Sequence, residues 1–195
     1  MEVRKIKKEK NFLYLSIETA IFIIAMGLVC LLTIKSINTN KQNLLSEKVY
    51  KSEELKIGNI STQSSVEDVL NSLGNPESQN EFVDEATGDK VLEYTYSNGA
   101  TIVNFRDKND GKGYCITYMQ TSDEKYALPK NLKIGDSKET VLNSFNESCL
   151  VKDGALSEDT LKFGPENNAS VTSEGIIFWI QDGVVVSAAM VSQTY

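Results

Sequence analysis

The chain of 195 residues contains no histidine. That absence removes His-based acid–base relays and the commonest zinc ligand together. Cysteine is scarce as well, at Cys30, Cys115 and Cys149 only, and no C-x-x-C occurs. A four-ligand structural zinc site therefore has no framework. G-x-S-x-G, the Walker loop and G-x-G-x-x-G are all missing, so no nucleophile elbow or phosphate cradle is written. Cations are few beyond the N-terminus. From Asn38 onward 14 Lys plus Arg stand against 24 Asp plus Glu, a net charge of −10. This part will not be drawn to nucleic acid, whose readers need clustered cations.

One loop and three acid pairs imitate sites. Asp107–Gly113 reads DKNDGKG. With Asp107 at position 1 of a calcium loop, Lys112 falls at position 6, where glycine is required, so a hairpin turn is expected. The acid pairs Asp84/Glu85, Asp123/Glu124 and Glu158/Asp159 lie in expected loops without an aromatic groove, and solvated acids are the plainer reading. No catalytic residue, metal ligand or cofactor is assigned, and an enzyme is not expected.

What the chain does have is one long apolar run. Phe12–Ile34 is 23 residues with a single charge, Glu18. As helix it measures about 34 Å, enough to cross a hydrocarbon core of roughly 30 Å. The spacing predicts a transmembrane helix over 12–34, with Glu18 as an intramembrane polar residue near one interface. Arg4, Lys5, Lys7, Lys8 and Lys10 precede it, whereas Lys35 and Lys41 follow. That asymmetry places a cytoplasmic tail at 1–11 and the C-terminal part outside, at the plasma membrane. A cleaved signal has a shorter apolar core and an A-x-A-like site, which KSINTNK does not supply. Cys30 is preceded by Val29 where a lipobox has a small residue. Residues 35–55 are polar with Leu44, Leu45 and Val49 at helix-like spacing, and read as a stalk.

Beyond the stalk the chain repeats itself. VLNS stands at Val69–Ser72 and again at Val141–Ser144. In the first copy Val66, Val69, Leu70 and Leu73 share one helical face. Ser64 and Glu67 fit a capping box, and Leu73-Gly74-Asn75-Pro76 supplies the stop. In the second, Asp136 and Glu139 take the capping positions, and Val141, Leu142 and Phe145 the stripe. Each helix is followed by alternating β-like segments with Asn98-Gly99 or Asp182-Gly183 as hairpin turns. The fold class expected is α+β, two tandem helix-plus-antiparallel-sheet units at 56–128 and 129–195. At about 70 residues each is marginal alone, so the pair should share burial.

Aromatics on the expected strands are the candidate contact residues. Tyr94 and Tyr96 share a face by alternation, and are either core or a patch for a partner. Phe178 and Trp179 must point to opposite faces, which makes Trp179 the third candidate. Cys115 and Cys149 permit one disulfide, although nothing in the sequence sets their separation.

Val69, Leu73, Gly74 and Pro76, followed by strands carrying Tyr94-x-Tyr96 and an apolar hairpin, resemble the SmpA/BamE-like and β-lactamase-inhibitor-protein-like superfamily. The resemblance covers about 56–195. The second unit departs from it, with Asn146, Glu147 and Ser148 where Gly-x-Pro would stand. It implies a non-enzymatic binding module without implying β-lactamase inhibition, because no contact surface is matched. The function expected is a single-pass cell-envelope protein presenting a tandem binding module to an extracytoplasmic or membrane protein. The competing expectation is a membrane-anchored sensor that reports inward through a separate membrane partner.

Overall fold

Both capped helices form, each starting one residue later than the spacing predicts. The computed structural model describes residues 32–33, 35–36, 48–51, 54–85, 87–107, 113–166 and 174–192. Helix α1 is Val66–Leu73, capped by Ser65: its hydroxyl accepts the Asp68 N–H while the Asp68 carboxylate accepts the Ser65 N–H. Ser64 is unavailable because its hydroxyl accepts the Ser61 N–H and closes the preceding turn. Helix α2 is Lys138–Ser144, capped by Ser137 onto the Thr140 N–H. Asp136 is engaged elsewhere, its carboxylate accepting the Lys133 N–H at 2.8 Å. Gly74, at φ 82°, ends α1 where a left-handed residue is needed.

The chain divides into two units, Met1–Glu47 and Lys48–Tyr195. In the first, Leu32, Thr33, Lys35 and Ser36 are helical. The rest of the expected span, Glu18 included, lies outside the described residues, as do Leu44 and Leu45 of the stalk. Among the described residues no helix is long and apolar enough to cross a membrane.

The second unit is α+β, built on one seven-stranded antiparallel sheet. A small hairpin, β1 (Lys56–Ile57) and β2 (Ile60–Ser61), leads into α1. After α1 run β3 (Ser78–Val83), β4 (Lys90–Tyr96), β5 (Thr101–Asp107) and β6 (Tyr114–Thr121); after α2 run β7 (Thr160–Phe163), β8 (Gly175–Gln181) and β9 (Val184–Val191). The order is β3-β4-β5-β6-β9-β8-β7, so the last strand of each run meets the other at the centre. The β4–β5 turn holds Ser97, Asn98 and Gly99 at positive φ, and the β8–β9 turn Asp182 and Gly183.

One row of side chains crosses the whole sheet in register: Gln79, Tyr94, Val103, Met119, Met190, Ile176 and Phe163. From Tyr94 onward every member is buried. Val69 of α1 and Val141 of α2 are fully buried in the same cluster, so both helices cover this face. Each large apolar side chain in it is worth about 1.5–3 kcal/mol of burial. Leu142, expected on the α2 stripe, is instead exposed.

A second repeat accompanies VLNS. Leu55–Gly58 and Leu132–Gly135 both read LKIG. Leu55 and Leu132 are buried, and both glycines sit at positive φ, 59° and 93°. Gly58 N–H donates to Ala127 O and Gly135 N–H to Val185 O, each at 2.8 Å.

The stalk boundary moves as a result. Tyr50 and Leu55 belong to the core. Asn146 N–H donates to Lys48 O at 2.9 Å, and the Lys130 ammonium donates to Val49 O at 3.1 Å while pairing with the Glu54 carboxylate. Residues 48–51, 54 and 55 are therefore part of the folded unit rather than a spacer.

Candidate binding face

The helices occupy one face of the sheet; alternation puts every second strand residue on the other. Across that face run Thr95, Ile102, Gln120, Ala189, Ile177 and Lys162 in register. Trp179 stands beside them, paired with Ser187 of β9 and Thr160 of β7. Ile102, Gln120, Ile177 and Trp179 are half-buried, whereas the small residues Ser187 and Ala189 are buried between their neighbours. The result is a trough in side-chain size: β9 supplies small, covered residues between the larger, half-exposed side chains of β6 and β8.

Hydrogen bonds fix the β6 wall. The Tyr118 hydroxyl donates to Gln120 Oε1, Gln120 Nε2 donates to Ser187 Oγ at 3.1 Å, and Ser187 Oγ donates to Thr121 O at 3.1 Å. Burial pushes the Tyr118 phenol above its ordinary value, so it stays a neutral donor at physiological pH. Farther along, Arg106 reaches Asp84 at 2.8 Å and Asp89 at 3.1 Å, tying the β3–β4 loop to β5. Two buried polar atoms on this face, Asn104 Oδ1 and Arg106 Nε, have no hydrogen-bond partner among the described residues. At the far side Lys162 is buried, and burial lowers its ammonium from the usual lysine value.

Of the expected contact residues, Trp179 is on this face. Tyr94 and Tyr96 are not: both are buried on the helix side, with ring centroids 6.4 Å apart and Tyr94 5.2 Å from Phe105. The first core row includes Tyr94, so the pair takes the core option that alternation left open. Burial, then the neighbouring Tyr94 and Tyr126, push the Tyr96 phenol up to about 12. Phe178, adjacent to Trp179, is fully buried against Phe163 and Phe145.

Cys115 and Cys149 are not bridged to each other. Cys115 lies on β6, its thiol directed to Arg106 O at 3.7 Å. Cys149 lies beyond β7, accepting the Gly164 N–H at its carbonyl. With β9, β8 and β7 between them, the separation is on the order of 15 Å or more, against an upper limit of about 7 Å between bridged Cα atoms. Among the described residues no three His, Cys, Asp or Glu gather as a metal site.

Tyr118, Gln120, Ile177, Ser187 and Ala189 were not singled out beforehand as a group. Alternation within β6, β8 and β9 assigns each to a face, but only the β6–β9 pairing brings them together.

No family model matches the chain, and no curated protein does. Among solved structures, a "putative beta-lactamase inhibitor protein" from Streptococcus mutans aligns over 68% of this chain and 88% of its own, at 16% identity and a TM-score of 0.27. The superfamily resemblance rests on the motif residues alone.

Proposed function

We propose that this chain is a single-pass cell-envelope membrane protein whose C-terminal unit is a non-catalytic binding module for an extracytoplasmic protein partner. The partner is engaged through the open face of the sheet. The observation that carries this reading is the trough itself, where Trp179, Ile177 and Ile102 are half-exposed on a face that neither helix covers. Tryptophan on a flat apolar patch is a favoured anchor in protein contacts. The Tyr118–Gln120–Ser187 chain holds the polar wall in place beforehand, which lowers the ordering cost of binding. The apolar run over 12–34, with five cations before it, supports the anchor and its orientation.

Photo-crosslinking in living cells tests the proposal. A benzophenone amino acid placed at Ile177 should give a discrete protein adduct, and one at Glu67 on the exposed side of α1 should give none. Adducts from neither position, or the same adducts from both, refute the assignment of the face. Sidedness is read separately, by labelling a cysteine placed at Asp182 in a Cys115→Ser background with an impermeant maleimide on intact cells.

A further inference from the structure

The two outer edges of the sheet are finished differently. β7 is four residues long, and residues 149–151 run along its outer side. Leu150 bridges Phe163, Val151 N–H donates to Lys162 O at 2.9 Å, and Gly164 N–H donates to Cys149 O at 2.9 Å. That edge is closed. β3 at the opposite edge is six residues long and exposed throughout, and among the described residues no strand pairs with its outer side.

An edge strand offers a row of unpaired N–H and C=O groups, and natural sheets blunt it with charged side chains, proline, a bulge or a cover; on β3 the single charge of Glu81 is the one such device among the described residues. β3 has no proline, no lysine and no bulge: its register with β4 is unbroken from Ser78↔Thr95 to Val83↔Lys90. It also displays Phe82 and Val83, 40% and 57% exposed, on alternate faces of the edge. The charge around it has one sign. Residues 77–89 carry Glu77, Glu81, Asp84, Glu85 and Asp89 and no cation. Arg106 pairs with both Asp84 and Asp89, offsetting one of their two charges, and Glu77 accepts the Asn98 N–H at 2.7 Å. Glu81 and Glu85 remain facing solvent.

We infer that β3 is a strand-addition site for an extended segment of a protein partner in which Lys or Arg alternates with apolar residues. Main-chain hydrogen bonds would supply the pairing, Phe82 and Val83 the apolar contacts, and Glu81 the choice of charge. This rests on the unfinished edge and not on the trough, so either stands without the other. A second copy fits less well, because antiparallel β3–β3 pairing sets Glu81 near its equivalent between two acidic units.

The full chain in nanodiscs is titrated with an acetylated, amidated TVKVKVT peptide, its glutamate twin TVEVEVT, and a TVKVKVT analogue N-methylated at alternate residues. Amide exchange is read over 78–83. The lysine peptide should protect alternate amides of β3 and bind about tenfold better than the glutamate twin. Glu81→Lys should reverse that preference while leaving Trp179 emission unchanged, and the N-methylated analogue should not bind. Absence of β3 protection, equal binding of the two charged peptides, or protection confined to β8 and β9 overturns the inference. Protection of 78–83 that grows with protein concentration without peptide also overturns it, and makes a second copy the occupant.

Discussion

Gly175→Ala is the sharpest test of the described packing. Gly175 opens β8 beside the end of β7. A methyl group there would overlap the Phe163 carbonyl oxygen and stand 3.2 Å from the carbonyl carbon and 3.3 Å from Lys162 Cε. The obstacle is backbone, so a rotamer change cannot relieve it; β7 must retreat by on the order of 1 Å. β7 carries Leu161 and Phe163 into the core, where Phe163 stacks on Phe145 at 4.3 Å. A gap of 0.5–1 Å forfeits roughly a quarter to a half of the dispersion contact. Applied to two side chains worth about 1.5–3 kcal/mol each, that is about 1–3 kcal/mol, and complete detachment of the strand sets an upper bound near ~6 kcal/mol. Urea unfolding followed by Trp179, the single tryptophan, reports on the neighbouring β8 register directly. With a slope of about 2 kcal/mol/M the midpoint should fall by roughly 0.5–1.5 M. Gly154→Ala is the control, since nothing lies within 4 Å of the added methyl. Equal midpoints for the two variants would mean that β7 is not seated against Gly175, and the edge description would fail with it.

The Tyr96 hydroxyl is buried without a hydrogen-bond partner among the described residues, so Tyr96→Phe should stabilise by about 1 kcal/mol in thermal melts. Because its pKa is raised to about 12, the neutral phenol favours the fold below the unfolded value near 10, and that contribution should be lost between about pH 10 and 12. Tyr96→Phe should remove this alkaline limb from a stability–pH curve. Phe178→Ala should cost about 3–5 kcal/mol, because the ring is fully buried, whereas Trp179→Ala next to it should cost far less and should instead weaken partner capture. Ser65→Ala should lower stability by about 1 kcal/mol. Ser64→Glu tests the sequence-level capping box, and should not strengthen α1. Asp68 is held below the usual carboxylate range by the Ser65 N–H and then the Ser65 hydroxyl, so the cap should be present above about pH 4 and lost as pH falls through the depressed value.

The turns were legible because their chemistry is local: Asn98 and Asp182 adopt the left-handed backbone that Asn-Gly and Asp-Gly announce, φ 54° and 51°. The helices were legible to within one residue, and the slip has a cause. Ser64 and Ser65 both satisfy the capping template, and only the β2 turn, which consumes Ser64, decides between them. β3 left no signal, because alternation arises when one face is buried and SQNEFV buries neither. Tyr94 and Tyr96 could be assigned a common face but not which one, since that depends on where the helices land. The trough was not legible at all. It requires β6 to meet β9 across some 70 residues, as in Thr121↔Ala188, and no local pattern encodes that pairing. LKIG, by contrast, was written plainly twice; five additional residues between LKIG and VLNS in the first copy hide the common frame.

β9 explains why the trough lies where it does. Its middle reads Ser187-Ala188-Ala189, a run of three small side chains, and both LKIG segments converge on it. The first contributes β1, which contacts β9. The second clamps the strand's start, Gly135 N–H donating to Val185 O and Val185 N–H to Asp136 O, each at 2.8 Å. Ala188 faces the core, paired with Thr121 and Phe178, where a larger residue would meet a packed interior. Ala189 faces the other way, paired with Gln120 and Ile177. The same substitution one residue apart should therefore separate folding from binding. Ala188→Leu overfills the core and should cost about 1–3 kcal/mol or more. Ala189→Leu presses on Gln120 and Ile177, which are half-exposed and can shift, and should cost less than Ala188→Leu while suppressing the adduct formed from Ile177. If Ala189→Leu destabilises as much as Ala188→Leu, the second face of the sheet is as tightly packed as the first, and there is no trough for a partner to enter.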